Sequence, residues 1–245
     1  MSGDRKTPVK KGEGGAVTGT SSHAEIDAFL KQARTMTPGA KASGTRGRLI
    51  FALDATMSRQ PTWDTACSLQ AEMFNETAAI GGLDVQLMYF RGFNECRASR
   101  WVSDPKALAD LMTRIDCRGG HTQIRRVLAH TRDETKKKPV QALVYIGDCM
   151  EEPLDDLCAV AGEIGMTGTR AFLFHEGRDA VAEQAFREIA RLTNGAYCRF
   201  DAGSAQHLRD LLAAVAVYAA GGRAALADYG RKRRGQAQRL LEQMR

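Results

Sequence analysis

The sequence predicts an α/β domain built on a doubly wound, Rossmann-like, mainly parallel sheet with helices on both faces. Three observations carry this reading. From Leu49 onward, short apolar runs of strand length alternate with stretches of helical periodicity. Leu49–Leu53 and Ala142–Ile146 contain no polar or charged side chain apart from the Tyr145 hydroxyl, as strands buried on both faces require. Arg91-Gly92-Phe93-Asn94 interrupts the pattern as a turn, so one strand pair is joined by a hairpin and not by a crossover helix.

Taken in order, residues 1–21 mix Lys, Gly, Ser and Thr with almost no large apolar groups and are expected to form a disordered basic tail. Ser22-His23-Ala24-Glu25 has capping-box spacing, and Ile26, Phe29, Leu30 and Ala33 share a helical face up to Pro38, so 22–46 reads as a short amphipathic helix and linker. The body, 47–220, opens with the strand Leu49–Leu53 and a helix from about Trp63 to Ile80. Strands Leu83–Phe90 and Cys96–Val102 follow, then a helix opened by Pro105 and another over Thr122–Thr135. The strand Ala142–Ile146, helix Leu154–Ile164, strand Ala171–Phe174, helix Ala180–Leu192 and strand Ala196–Phe200 complete the alternation, with Asn194-Gly195 ending the last-named helix. A final helix runs from Ser204 to Tyr218, and Gly221-Gly222 is expected to hinge a basic, partly helical segment, 221–245.

The chain's 245 residues, 43% hydrophobic and 26% charged, have the composition of a folded globular protein with room for one sizeable core. No uncharged apolar run reaches the roughly 18 residues of a bilayer span, and Met1–Gly19 has no apolar centre like that of a signal peptide, so no membrane span and a cytoplasmic location are expected. Six cysteines lie scattered without a C-x-x-C pair or a histidine cluster, which points to reduced core thiols and not to a disulfide framework or zinc site. The net charge of +6 is uneven: residues 1–48 carry nine basic groups against four acids, 221–245 seven against two, and the middle 19 against 23. Basic ends on a mildly acidic body could touch nucleic acid or an acidic partner, although the run Arg231-Lys232-Arg233-Arg234 lacks interleaved aromatics.

In a doubly wound sheet, ligands sit beyond the carboxyl ends of the strands where strand order reverses. The first strand ends in Asp54-Ala55-Thr56-Met57-Ser58, which places one carboxylate and two hydroxyls at alternate positions. The strand Ala142–Ile146 ends in Gly147-Asp148 and brings a second carboxylate to the same edge, while Gly119-Gly120-His121-Thr122 offers a third hydroxyl after a tight turn. Oxygen donors of this kind suit a hard cation, Mg²⁺ or Mn²⁺. Around them, Met57 and Arg59 in the loop, His121, and Glu151 on the rim are candidates for contact with a partner. Trp63 fits helix-start packing, Glu152 a solvated rim, and His175 and Glu176 a loop at the same edge.

Asp54-x-Thr56-x-Ser58, then Thr122 after a double glycine, then Asp148 after an apolar strand, resembles the metal-ion-dependent adhesion site of von Willebrand factor A domains. The resemblance covers about residues 47–220. It implies a doubly wound sheet of about six strands with one antiparallel edge strand. It also implies that Thr56 and Ser58 bind metal directly, that Asp54 and Asp148 act largely through waters, and that Thr122 engages when a ligand is bound. Thr56 stands where serine is usual, and His121 where a small residue is frequent. The function so implied is metal-dependent protein binding without catalysis, in which the cation accepts a partner's carboxylate, with a chaperone-like or regulatory ATPase as the economical partner.

Two other functions compete. An aspartate after a buried first strand could serve phosphoryl transfer, and this architecture resembles haloacid-dehalogenase-like phosphatases; those carry a second aspartate two residues on, where this chain has Thr56. No P-loop lysine motif, G-x-S-x-G elbow or dinucleotide glycine motif is present. The third possibility is binding of nucleic acid or an acidic partner through the basic ends.

Overall fold

A computed structural model of the chain describes residues 28, 46–200 and 205–243. The expected tail 1–21 lies outside the described residues, as does the expected helix and linker 22–46 apart from Ala28, which is helical, and Arg46.

Six strands form one sheet in the order β3-β2-β1-β4-β5-β6. β1 is Gly47–Asp54, β2 Leu83–Arg91, β3 Glu95–Val102, β4 Ala142–Gly147, β5 Arg170–Glu176 and β6 Ala196–Phe200. All neighbours run parallel except β3, which pairs antiparallel with β2 at the edge through the expected turn. β1 is buried along its whole length and lies between β2 and β4, so its carboxyl end is the point where strand order reverses.

Alternation along β1 assigns the two faces. Leu49, Phe51 and Leu53 pack with residues of α1 (Gln60–Thr77), α2 (Pro105–Met112) and α6 (Ala205–Gln243). Ile50 and Ala52 pack with α3 (Ile124–Lys137), α4 (Leu154–Met166) and α5 (Ala180–Leu192). Each apolar residue of β1 therefore contributes to one of two cores, which is why the run Leu49–Leu53 carries no charge. Arg48, beside the far end, is buried too, but its guanidinium pairs with Glu134 at 3.3 Å and lies 3.8 Å over the Trp101 ring.

The boundaries differ from expectation in ways that have local causes. α1 starts at Gln60, ahead of Trp63, because Pro61 is accommodated in a first turn whose amides need no partner. α3 starts at Ile124, two residues after Thr122, since its leading amides are capped from a distant loop: Ile124 N donates to Glu152 Oε2 at 2.5 Å and Arg125 N to Glu152 Oε1 at 2.9 Å. α6 runs well past Tyr218 and is broken only at Gly222, whose φ of 70° and ψ of −164° interrupt the helix at the expected hinge. Within it Leu208–Arg231 is, among the described residues, the helix long and apolar enough to cross a membrane by composition, yet Leu208, Leu211, Leu212, Val215 and Tyr218 are buried in the core. All six cysteines are unbridged, but only Cys117 and Cys198 are buried and the other four are half-buried.

Close approach of α6 to β1 leaves no room for a side chain at Gly47, where a Cβ would lie 2.2 Å from the Ala219 carbonyl oxygen. Gly47→Ala is expected to lower unfolding stability toward the upper end of the ~1–3 kcal/mol typical of overpacking, read as a fall in the urea midpoint with unchanged slope.

Candidate metal centre

At the carboxyl end of β1 the chain leaves the sheet through Ala55 and enters a single 3₁₀ turn, Met57–Arg59. Ala55 is tied on both sides: its amide donates to the Phe90 carbonyl at 3.0 Å, and its carbonyl accepts from Arg118 N at 2.9 Å. Asp54 is 2% exposed. Its Oδ1 accepts the Thr56 amide at 2.8 Å, while its Oδ2 is buried without a hydrogen-bond partner. Burial pushes the Asp54 carboxyl up to about 6, and the nearby Asp148 charge adds to this, against the lowering hydrogen bonds of Thr56 and the charge of Arg59.

β4 brings Asp148 alongside, one residue beyond Gly147. Ser58 Oγ donates to Asp148 Oδ2 at 2.9 Å and sits 3.4 Å from Thr56 Oγ1, so Thr56, Ser58 and Asp148 form one polar chain next to Asp54. Asp148 Oδ1, like Asp54 Oδ2, is buried and unpartnered. One ligand atom each from Asp54, Asp148 and Cys149 lies within 4.8 Å of the others. Buried, unpartnered oxygens on two neighbouring carboxylates are costly without a cation, and the donors suit one. The residues present therefore fit a divalent metal.

Thr122 occupies a neighbouring loop and is buried. Its hydroxyl accepts the Glu151 amide at 3.0 Å and its own amide donates to Glu151 Oε2 at 2.9 Å, so it is engaged with the loop after β4 and makes no hydrogen bond to Asp54, Thr56, Ser58 or Asp148. Of the two preceding glycines, Gly120 has a steric cause, since a Cβ there would lie 2.1 Å from the Gly92 carbonyl oxygen, whereas a Cβ on Gly119 would meet nothing. His121, exposed, is 3.2 Å from Glu151 and edge-on to Phe93, 5.2 Å between ring centroids. The Thr122 amide, more than His121, holds the Glu151 carboxyl below its usual range. Met57 and Phe93 stand out from this rim, 64% and 79% exposed.

Arg59 requires a correction. Expected at the surface as a partner contact, it is 2% exposed and forms an ion pair with Glu176, which also accepts from the Thr62 hydroxyl. Its guanidinium thus anchors the 3₁₀ turn to the end of β5 and does not face a partner. Glu152, expected on a solvated rim, caps α3. His175 is fully buried, with Nδ1 at 2.9 Å from the Tyr197 hydroxyl and Nε2 at 3.3 Å from the Asp148 carbonyl. Trp63 packs in the core as expected. Sequence reasoning passed over Cys149 because it sought cysteines in pairs or beside histidines; its position directly after Asp148 was the available signal.

No family model and no curated protein matches the sequence. Among solved structures, the VWA domain of SpRpn10 is similar at 14% identity and a TM-score of 0.54, over 69% of this chain and 94% of that one. An aerotolerance-related membrane protein from Bacteroides fragilis is similar at 20% identity and a TM-score of 0.52, over 68% and 98%. Proximal thread matrix protein 1 from the mussel byssus, whose MIDAS motif is occupied by zinc, is similar at 13% identity and 0.53, over 72% of this chain and 49% of that one. The chain has the von Willebrand factor A fold, with the parallel sheet and antiparallel edge strand that its resemblance implies.

Because the Asp54 carboxyl titrates near 6 when folded, above its ordinary value of 3.8, its stabilising contribution is present below about pH 4 and is lost as pH rises through 6. Metal-free Asp54→Asn protein is expected to lack this loss and to exceed the wild type by roughly 3 kcal/mol near pH 7.5, taking about 1.4 kcal/mol per pK unit. Denaturant unfolding at about pH 4 and about pH 7.5 checks this, and a less stable Asn variant at the higher pH contradicts the burial account.

Proposed function

We propose that this domain is a metal-dependent protein-recognition module, not an enzyme, which binds a partner's carboxylate at the end of β1. The observation that carries the reading is the meeting of two carboxylates, Asp54 and Asp148, at the strand-order reversal, each with one buried oxygen that has no hydrogen-bond partner. A bound divalent cation, Mg²⁺ or Mn²⁺ by the oxygen donors, would supply an electrophilic position for an anionic ligand.

The chain's own residues do the rest. Asp54 and Asp148 would hold the cation, with the Thr56 and Ser58 hydroxyls as neutral donors that leave it positive enough to attract an acidic side chain. Thr122, held at Glu151 in this arrangement, would join when a ligand is present. Met57 is exposed and His121 pairs with Glu151, so a methionine and an imidazole could contact residues flanking the partner's carboxylate. The fold neighbours include VWA domains and a zinc-occupied MIDAS, which supports an interaction role for the same sheet edge here. Six unbridged cysteines support a reducing, cytoplasmic setting.

Calorimetric titration with Mg²⁺ and with Mn²⁺ tests the site. Saturable binding is expected for the wild type and is expected to weaken at least about tenfold in the Thr56→Ala, Ser58→Ala double variant. Equal binding by both proteins, or no binding of any divalent cation by the wild type, overturns the reading. A glutamate-containing peptide should then bind only to the metal-loaded form, and hydrolysis of a generic phosphate ester would instead favour the phosphoryl-transfer alternative.

A further inference from the structure

We propose that Cys149 is a ligand of the metal centre and makes it selective for Zn²⁺ over Mg²⁺. The inference rests on the metal-site reading above and adds to it a donor of different chemistry. Ligand atoms of Asp54, Asp148 and Cys149 lie within 4.8 Å of one another, so the sulfur is part of the same cluster as the two carboxylates. The independent sign of an ion is Asp54 itself, 2% exposed, with Oδ2 buried and without a partner beside that cluster.

A purely oxygen-lined site selects a hard cation, and the sequence pattern alone led there. A thiolate changes the selection. Mg²⁺ binds sulfur poorly and keeps its waters, whereas Zn²⁺ takes thiolate and carboxylate together in a four-coordinate set. Asp54, Asp148 and Cys149 supply three such donors, and the Ser58 hydroxyl, which now donates to Asp148, or a ligand's carboxylate can supply the fourth. On binding, a Zn–S bond forms, the S–H bond breaks and the proton passes to solvent; no oxidant or reductant is needed.

The other cysteines do not share this position. Cys67, Cys96, Cys117, Cys158 and Cys198 belong to no comparable group of metal-binding side chains among the described residues. The site has the open character of a recognition centre and not the closed four-residue cage of a structural zinc site, because only three charged protein donors meet there.

Titration of the full chain with Co²⁺, followed by absorption, tests the proposal, because sulfur bonded to Co²⁺ gives a near-ultraviolet charge-transfer band that oxygen donors do not. The wild type is expected to show the band at one equivalent, Cys149→Ser to lose it while still binding Co²⁺, and Asp54→Asn to lose it as well. In competition titrations, Cys149→Ser should weaken Zn²⁺ by at least about tenfold to 100-fold, as even partners outside the ligand set commonly do, and shift Mg²⁺ by less than about threefold. Co²⁺ binding by the wild type without the band, or a band that survives in Cys149→Ser, overturns the cysteine assignment and leaves the oxygen-lined site standing. Failure of Co²⁺, Zn²⁺, Mg²⁺ and Mn²⁺ all to bind overturns both. Since the band is read in the wild type, the test does not depend on the variants folding.

Discussion

The domain is organised around a carboxylate that has been taken out of water. Asp54 closes a strand whose preceding residues are wholly buried, so its position is fixed by two cores that it does not belong to. An aspartate so placed cannot swing into solvent, and one of its oxygens is left without a hydrogen bond. The surrounding structure serves to hold this unfavourable arrangement in place. The amide of Thr56 satisfies the other oxygen, the Arg59–Glu176 pair pins the turn that follows, and the Ala55 backbone is bonded to β2 at Phe90 on one side and to the loop at Arg118 on the other. A position that costs stability in the empty protein is held by rigid elements, as expected where recognition depends on it.

Electrostatics around that position are graded. Arg59 contributes a positive charge close to Asp54 but is itself neutralised by Glu176, so the field at the cluster stays negative. Asp148 adds to it directly. Farther out, Glu151 and Glu152 carry their charge into backbone amides of the 122–125 segment and not toward the cluster. The five acidic groups named at this sheet edge thus divide into two, Asp54 and Asp148, that are available to a cation and three, Glu151, Glu152 and Glu176, that are consumed by structure.

Most of the architecture was legible in the sequence because its determinants are local. Uncharged runs marked β1 and β4, alternating periods marked the crossover helices, and a Gly-containing turn marked the antiparallel edge; the strands Ala196–Phe200 and the helix Ala180–Leu192 agree residue for residue with expectation. What the sequence did not show depends on long-range partners. Whether Arg59 points out or in is decided by Glu176, 117 positions along the chain, and where α3 begins is decided by Glu152. The carboxylates and hydroxyls of the candidate centre were visible through their spacing and strand context. Cys149 was not, because a sulfur beside an aspartate is read as a core thiol until the fold brings Asp54 next to it.

The reciprocal pairing of Thr122 with Glu151, and the capping of α3 by Glu152, weld two loops that are separated by a whole helix and strand. Neither loop can be displaced alone without stranding amides of the other. A signal arriving at this edge would therefore be felt as a single event by β4 and by the first turn of α3, giving the domain a discrete latch where two independent loops would have given a gradual response.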